Sequence, residues 1–76
     1  NGAGITATGD IARRGIVAVD PDVIPLGTRV YIPGYGTAVA ADTGGAIRGN
    51  KIDLCMESYG EAIDFGRRSV EVYILN

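Results

Sequence analysis

Short apolar-rich runs, separated by glycine, proline and polar residues, divide the chain into pieces of strand length. Residues 16–20, 29–32, 37–42, 51–56 and 70–75 are rich in Val, Ile, Ala and Tyr, which predicts five strands, and residues 5–8 offer a sixth. One segment breaks the pattern. Ser58-Tyr59-Gly60-Glu61 is a capping box, Ala62, Ile63 and Phe65 supply an apolar face, and Gly66 stands where a helix would end. This predicts one helix of about two turns. The stretch from Pro21 to Pro25 holds no more than a turn, because proline disfavours helix at the residue before it. The reading is an all-β domain, a small barrel or sandwich with one short helix.

The segments also form a weak internal repeat: a strand with an aspartate, an apolar residue plus glycine, then a strand closing on Tyr-Ile. Val17-Ala18-Val19-Asp20, Leu26-Gly27 and Val30-Tyr31-Ile32 make one copy; Ile52-Asp53, Phe65-Gly66 and Val70-Glu71-Val72-Tyr73-Ile74 make the other. Two halves related by a pseudo-twofold axis would close a six-stranded barrel and place Asp20 and Asp53 in related positions.

Composition narrows the chemistry. The chain's 76 residues allow a single domain, residues 1–76, and its one cysteine allows no internal disulfide. Cys55 lies in an apolar run and reads as a buried small hydrophobe. Net charge is −2, with 7 basic and 9 acidic residues dispersed along the chain, so the basic stripe that nucleic acid needs is missing. No apolar run approaches the roughly 18 to 20 residues of a membrane span, and Asn1-Gly2-Ala3-Gly4 is not a signal peptide. Histidine is absent, which removes Ser-His-Asp and Cys-His catalysis and makes a zinc site improbable; no metal and no cofactor is expected. Carboxylates are left for proton transfer.

Three aspartates end or interrupt apolar strands: Asp20, Asp42 and Asp53. Neighbouring, partly desolvated carboxylates cannot all ionise cheaply, so at least one pKa should rise and yield a general acid. Asp20 and Asp42 have an alternative role as caps of the turns that follow them. Asp53 lies within a strand, where aspartate is disfavoured and calls for a reason. Thr43-Gly44-Gly45 after Asp42 lets a backbone approach a bulky ligand and suits sugar hydroxyls, although a plain turn explains it too. Arg13, Arg14, Arg48 and Lys51 flank the aspartates and offer contacts to an anionic substrate.

These runs, from Ile16-Val-Ala-Val-Asp-Pro-Asp-Val-Ile-Pro-Leu-Gly to Ala41-Asp-Thr-Gly-Gly and Lys51-Ile-Asp-Leu, with Gly66-Arg-Arg and the closing Val-Glu-Val-Tyr-Ile-Leu, resemble the three-aspartate "3D" domain. The resemblance extends over nearly the whole chain from Ile5. That family includes stationary-phase survival and resuscitation-type muralytic proteins of Gram-positive bacteria, and its core is similar to the catalytic barrel of MltA-type lytic transglycosylases. The resemblance implies a six-stranded double-psi β-barrel, secretion to the bacterial cell wall and peptidoglycan glycan strands as partner. It further implies catalysis by Asp53 with Asp42 and Asp20, and Thr8 and Gly9 in a loop over the cleft. The implied reaction is lytic transglycosylation at the bond between N-acetylmuramic acid and N-acetylglucosamine, giving a 1,6-anhydro product. Family members usually have a strand ahead of Thr6-Ala7-Thr8-Gly9, so a strand-exchanged homodimer is expected, in which a second chain fills the barrel edge. Two rivals stay open. One is a non-catalytic glycan-binding barrel of expansin type; the other is a dimeric aspartic protease, whose signature Ala41-Asp42-Thr43-Gly44 resembles.

Overall fold

The computed structural model describes residues 5–75. Five strands form a single sheet: β1 Ile16–Val19, β2 Arg29–Ile32, β3 Gly36–Asp42, β4 Ile52–Leu54 and β5 Tyr73–Ile74, with one helix, α1 Tyr59–Phe65, between β4 and β5. The spatial order is β4-β1-β3-β2-β5. β1 runs parallel to β3, and the remaining neighbours are antiparallel.

The core sits on one face. Val17 and Val19 of β1, Val30 and Ile32 of β2, and Ala38 and Ala40 of β3 are buried together with Tyr35. Ile52, Leu54, Met56, Phe65, Val70 and Val72 pack against them while partly exposed. Tyr35 ties this core to the opposite side of the fold. Its hydroxyl accepts from the Gly15 N–H at 2.7 Å and donates to the Cys55 carbonyl at 2.6 Å. Burial pushes its pKa above the ordinary 10.0, since the charged phenolate would have to form away from water.

The helix forms where its capping residues stand. Ser58 accepts the Glu61 N–H through its side chain, and the Gly66 N–H returns to the Ala62 carbonyl with φ at 64°, a conformation open to glycine. A hydrogen bond from the Glu57 N–H at 3.0 Å and the Arg14 guanidinium at 2.8 Å both reach Glu61 Oε1, which anchors α1 to the segment before β1.

The all-β reading with one short helix holds; the closed six-stranded double-psi barrel does not, because the sheet is open at β4 and β5 among the described residues. Two causes are visible. Residues 5–8 do not enter the ladder: Ile5 makes one isolated bridge to Ile11, and the Thr6 and Gly9 N–H groups close a turn on Asp10 and Thr6. The Ala7 N–H goes to a side chain, Asp42 Oδ1. At the other end, the strand expected over 70–75 shrinks to Tyr73–Ile74, and Val70 and Val72 face Ile52 across a cavity instead of pairing with β4. Asn1 to Gly4, part of the segment expected to pair across a dimer, lie outside the described residues.

Candidate functional site

Three adjacent strands, β4, β1 and β3, bring two of the three aspartates together. In β1, Ala18 is the register partner of Asp42 on one side and of Asp53 on the other. Directly paired residues point to the same sheet face, so Asp42 and Asp53 flank the small Ala18 methyl, with backbones two strand spacings or about 10 Å apart. A β-bulge between Val17 and Ala18 sets this alignment, skipping Ala41 and turning Asp42 toward β1. The carboxylates overlook a cavity of about 190 Å³ lined also by Ala12, Ile16 and Cys55. Cys55 is therefore half-buried at the cavity wall, not the enclosed hydrophobe expected of it.

The two carboxylates are held differently. Asp42 Oδ1 accepts from the Ala7 and Thr43 N–H groups, both at 2.9 Å, and the Thr8 N–H donates to the adjacent Ala41 carbonyl at 3.2 Å. Asp42 thereby fastens the loop carrying Thr8 and Gly9 to the end of β3. Thr8 Oγ1 in turn donates to Asp10 at 2.6 Å. Asp53 is exposed, and no hydrogen bond or ion pair to its carboxylate forms among the described residues. It is also shared by three cavities: the 190 Å³ one, one of about 240 Å³ against Met56 and Phe65, and the largest, about 560 Å³, between Lys51–Asp53 and Arg67–Val72.

Asp20 stands apart. Its two oxygens accept the Asp22 N–H at 3.0 Å and the Gly49 N–H at 2.8 Å, which ties the turn after β1 to the loop before β4. The Gly49 bond and then the Asp22 bond hold its pKa below the ordinary 3.8. The rise expected within the aspartate set is thus reversed here, because backbone donors favour the carboxylate. Asp20 borders a cavity of about 270 Å³ with Lys51 and Ile52, adjoining the largest one.

Other candidate residues separate along similar lines. Lys51 lines the largest cavity beside Asp53. Thr43, Gly44 and Gly45 form an exposed turn in which the Ile47 N–H returns to the Gly44 carbonyl, and a Cβ on Gly44 would come within 3.1 Å of Ile47 Cγ1. The Arg14 guanidinium is committed within the fold: it pairs with Glu61 at 2.8 Å, donates to the Tyr35 carbonyl at 2.7 Å and lies 4.5 Å from the Tyr35 ring centre. Arg13 donates to the Ile11 carbonyl, and Arg48 to the Gly45 carbonyl. Arg67 and Arg68, not among the residues expected at the site, line both larger cavities around Asp53. Their signal lay in the Gly66-Arg67-Arg68 run. Among the described residues no group of three or more His, Cys, Asp or Glu converges in a way that could hold a metal ion.

The profile of the 3D domain matches residues 15–76, which takes in every strand and both flanking aspartates. The chain belongs to the 3D domain family. Its curated relatives agree. This 3D domain is 53% identical over 78 aligned residues to Cell wall-binding protein YocH of Bacillus subtilis, an alignment that takes in 97% of the chain and 27% of that protein. It is 47% identical to Putative cell wall shaping protein YabE of the same organism, over 97% of the chain and 19% of that protein. A third relative, the SPbeta prophage-derived uncharacterized protein YorM, is 50% identical over 75% of the chain and 25% of its own length. The chain thus spans between about a fifth and a quarter of these relatives.

Proposed function

We propose that this 3D domain acts on the bacterial cell wall as a lytic transglycosylase, cleaving peptidoglycan glycan strands with Asp53 as general acid. The observation that carries the reading is the placement of Asp53 and Asp42 on either side of Ala18, on one sheet face and above an open cavity. In the proposed reaction, protonated Asp53 donates to the glycosidic oxygen between N-acetylmuramic acid and N-acetylglucosamine as that bond breaks. An oxocarbenium-like centre develops at the muramic anomeric carbon. The muramic 6-hydroxyl attacks that carbon and gives its proton to the Asp53 carboxylate, which regenerates the acid and closes a 1,6-anhydro ring. The substrate supplies the nucleophile, so one acid/base residue suffices.

The differing attachments of the aspartates support different roles. Asp53 is open to substrate. Asp42 uses one oxygen to hold the Thr8–Gly9 loop over the cleft and leaves its charge near the developing cation. Asp20 shapes the neighbouring rim by holding Gly49. Thr43, Gly44 and Gly45 border the approach to Asp42, with the Thr43 N–H given to Asp42 and the two glycines as backbone donors for sugar hydroxyls. Secretion to the wall accords with relatives named for wall binding and wall shaping.

The name of the first of these relatives favours a second reading, a domain that grips glycan without cutting it. Digestion of purified sacculi followed by mass spectrometry separates the two. Transglycosylation releases muropeptides lighter by one water than hydrolysed ones; a gripping domain sediments with sacculi and releases nothing. A product carrying the full water would instead make the domain a hydrolase.

A further inference from the structure

The largest cavity, about 560 Å³, carries a local charge opposite to that of the chain. Lys51, Arg67 and Arg68 line it, against a single acid, Asp53, at one end. The chain as a whole has 7 basic residues and a net charge of −2, so nearly half its cations gather at one concavity. None of the three forms an ion pair among the described residues. Like charges brought together without a counter-ion repel, and a shared concave wall of low dielectric strengthens their combined field. A ligand anion would relieve this.

The side chains are arranged for such a ligand. Arg68 lies with its guanidinium carbon 4.0 Å from the Phe65 ring centre, its Nε donating to the Phe65 carbonyl at 2.8 Å. Stacking, this bond and a second from Nη2 to the Asp64 carbonyl at 3.4 Å fix the plane of the group, which keeps Nη1 as its donor for a ligand. A charge-assisted guanidinium N–H suits a carboxylate oxygen, and prior immobilisation of the group reduces the entropy lost on binding. Ile52, Val70 and Val72 supply an apolar wall next to it. The acid end matters for placement. A ligand anion settles toward Arg67 and Arg68 at the other end of the cavity, which leaves Asp53 to the glycosidic oxygen of the same substrate.

We infer that this cavity is a subsite for the carboxylates of the peptide stems borne by peptidoglycan, so that the domain prefers peptide-substituted glycan to bare glycan. The inference rests on the reading that Asp53 acts on that polymer. Arg67 is its principal contact, Lys51 adds long-range attraction, and Arg68 fixes the orientation.

The test is sedimentation of the protein with purified sacculi freed of teichoic acid, at low salt, with released product scored in the same samples. Arg67→Gln combined with Lys51→Gln should weaken binding by about ten-fold, the scale of one lost charge-assisted contact. Arg67→Lys should recover part of the loss. Sacculi whose carboxylates have been amidated should bind the unaltered protein as weakly as the double variant binds native sacculi, with no further loss when the two are combined. Glycan stripped of stems by an amidase keeps only the lactyl carboxylate and should bind at the weakened level; retention of full affinity there would assign the cations to the muramic acid and overturn the stem proposal. Equal binding of native and amidated sacculi would overturn it as well. So would a variant that binds like the unaltered protein, or recovery of affinity only with sacculi that keep their teichoic phosphates. Binding without product release would count against the catalytic reading alone, so the two failures are distinguishable.

Discussion

The two copies of the repeat have opposite fates. In the half that runs through β1, β2 and β3, Ile16, Val17, Val19, Val30, Ile32, Tyr35, Ala38, Ala40 and Ala41 are buried, whereas no residue of β4, α1 or β5 is. Yet the strands of the two copies pair with one another, β1 with β4 and β2 with β5. The first half is a packed scaffold; the second drapes over it, and the larger cavities open where it fails to close. Asp53 lies on the draped half and Asp42 at the end of a scaffold strand. The site therefore joins a rigid wall to an open one, the arrangement expected of a cleft that must admit a polymer.

The comparison breaks most visibly in stability. Ile32→Ala removes a fully buried side chain from the scaffold and should cost roughly 2–5 kcal/mol, enough to unfold a domain this small. Ile63→Ala, on the exposed face of α1, should stay within about 0.5 kcal/mol. Urea denaturation of the two variants checks this, and similar losses would mean that the halves are one packing unit.

Tyr35 sharpens the contrast, because its hydroxyl bridges Gly15 before β1 to Cys55 after β4. Tyr35→Phe leaves both backbone groups without that partner and should cost about 1–3 kcal/mol. The hydroxyl also gives an alkaline signature. Its pKa is raised in the fold, so its contribution is complete below 10.0 and is lost as pH rises through the folded value, when the unfolded chain ionises first. Stability profiles between pH 8 and 12 should fall for the native chain and less steeply for Tyr35→Phe; parallel falls would remove the bridge from the account.

A smaller effect belongs to Asp20, which joins the scaffold's first turn to the loop before β4. Its pKa is lowered, so the stabilisation is present above the ordinary 3.8 and is lost as pH falls through the folded value. Asp20→Asn should flatten the acid side of the stability profile by lowering neutral stability slightly toward the level the native chain has in acid. An unchanged acid limb would mean that the Gly49 and Asp22 bonds do not matter to folding.

The elements were largely legible in the sequence, while the unequal burial of the two repeat copies was not, since the repeat predicts equivalent halves. Runs of Val, Ile, Ala and Tyr marked β1, β2 and β3 within a residue or so, because β-branched and aromatic residues suit a pleated, half-buried surface, although only β2 alternates strictly between exposed and buried positions. The helix was legible through Ser58, Glu61 and Gly66, whose roles are local. What eluded the pattern was non-local. The bonds of Ala7 and Thr8 to Asp42 and Ala41 take residues 5–8 out of the ladder, and no alternation signals that. Val70 and Val72 alternate as a strand does but face a cavity. The aspartates were visible as a group, while their separate duties depended on which backbone donors the fold brings to each. Exposed arginines follow no periodicity, so the Gly66-Arg67-Arg68 run was visible in the sequence but its place beside Asp53 was not.

The central claim is that Asp53 is the proton donor on the open wall of the site, and Asp53→Asn tests it most directly. Release of 1,6-anhydro muropeptides from sacculi should be followed by mass spectrometry, with sedimentation measured on the same samples. The substitution keeps size and exposure and removes only the transferable proton. Product formation should fall by a factor on the order of 10² to 10⁴ while the variant folds and sediments with sacculi as before. Release of the anhydro product within a few-fold of the unaltered chain would contradict the account.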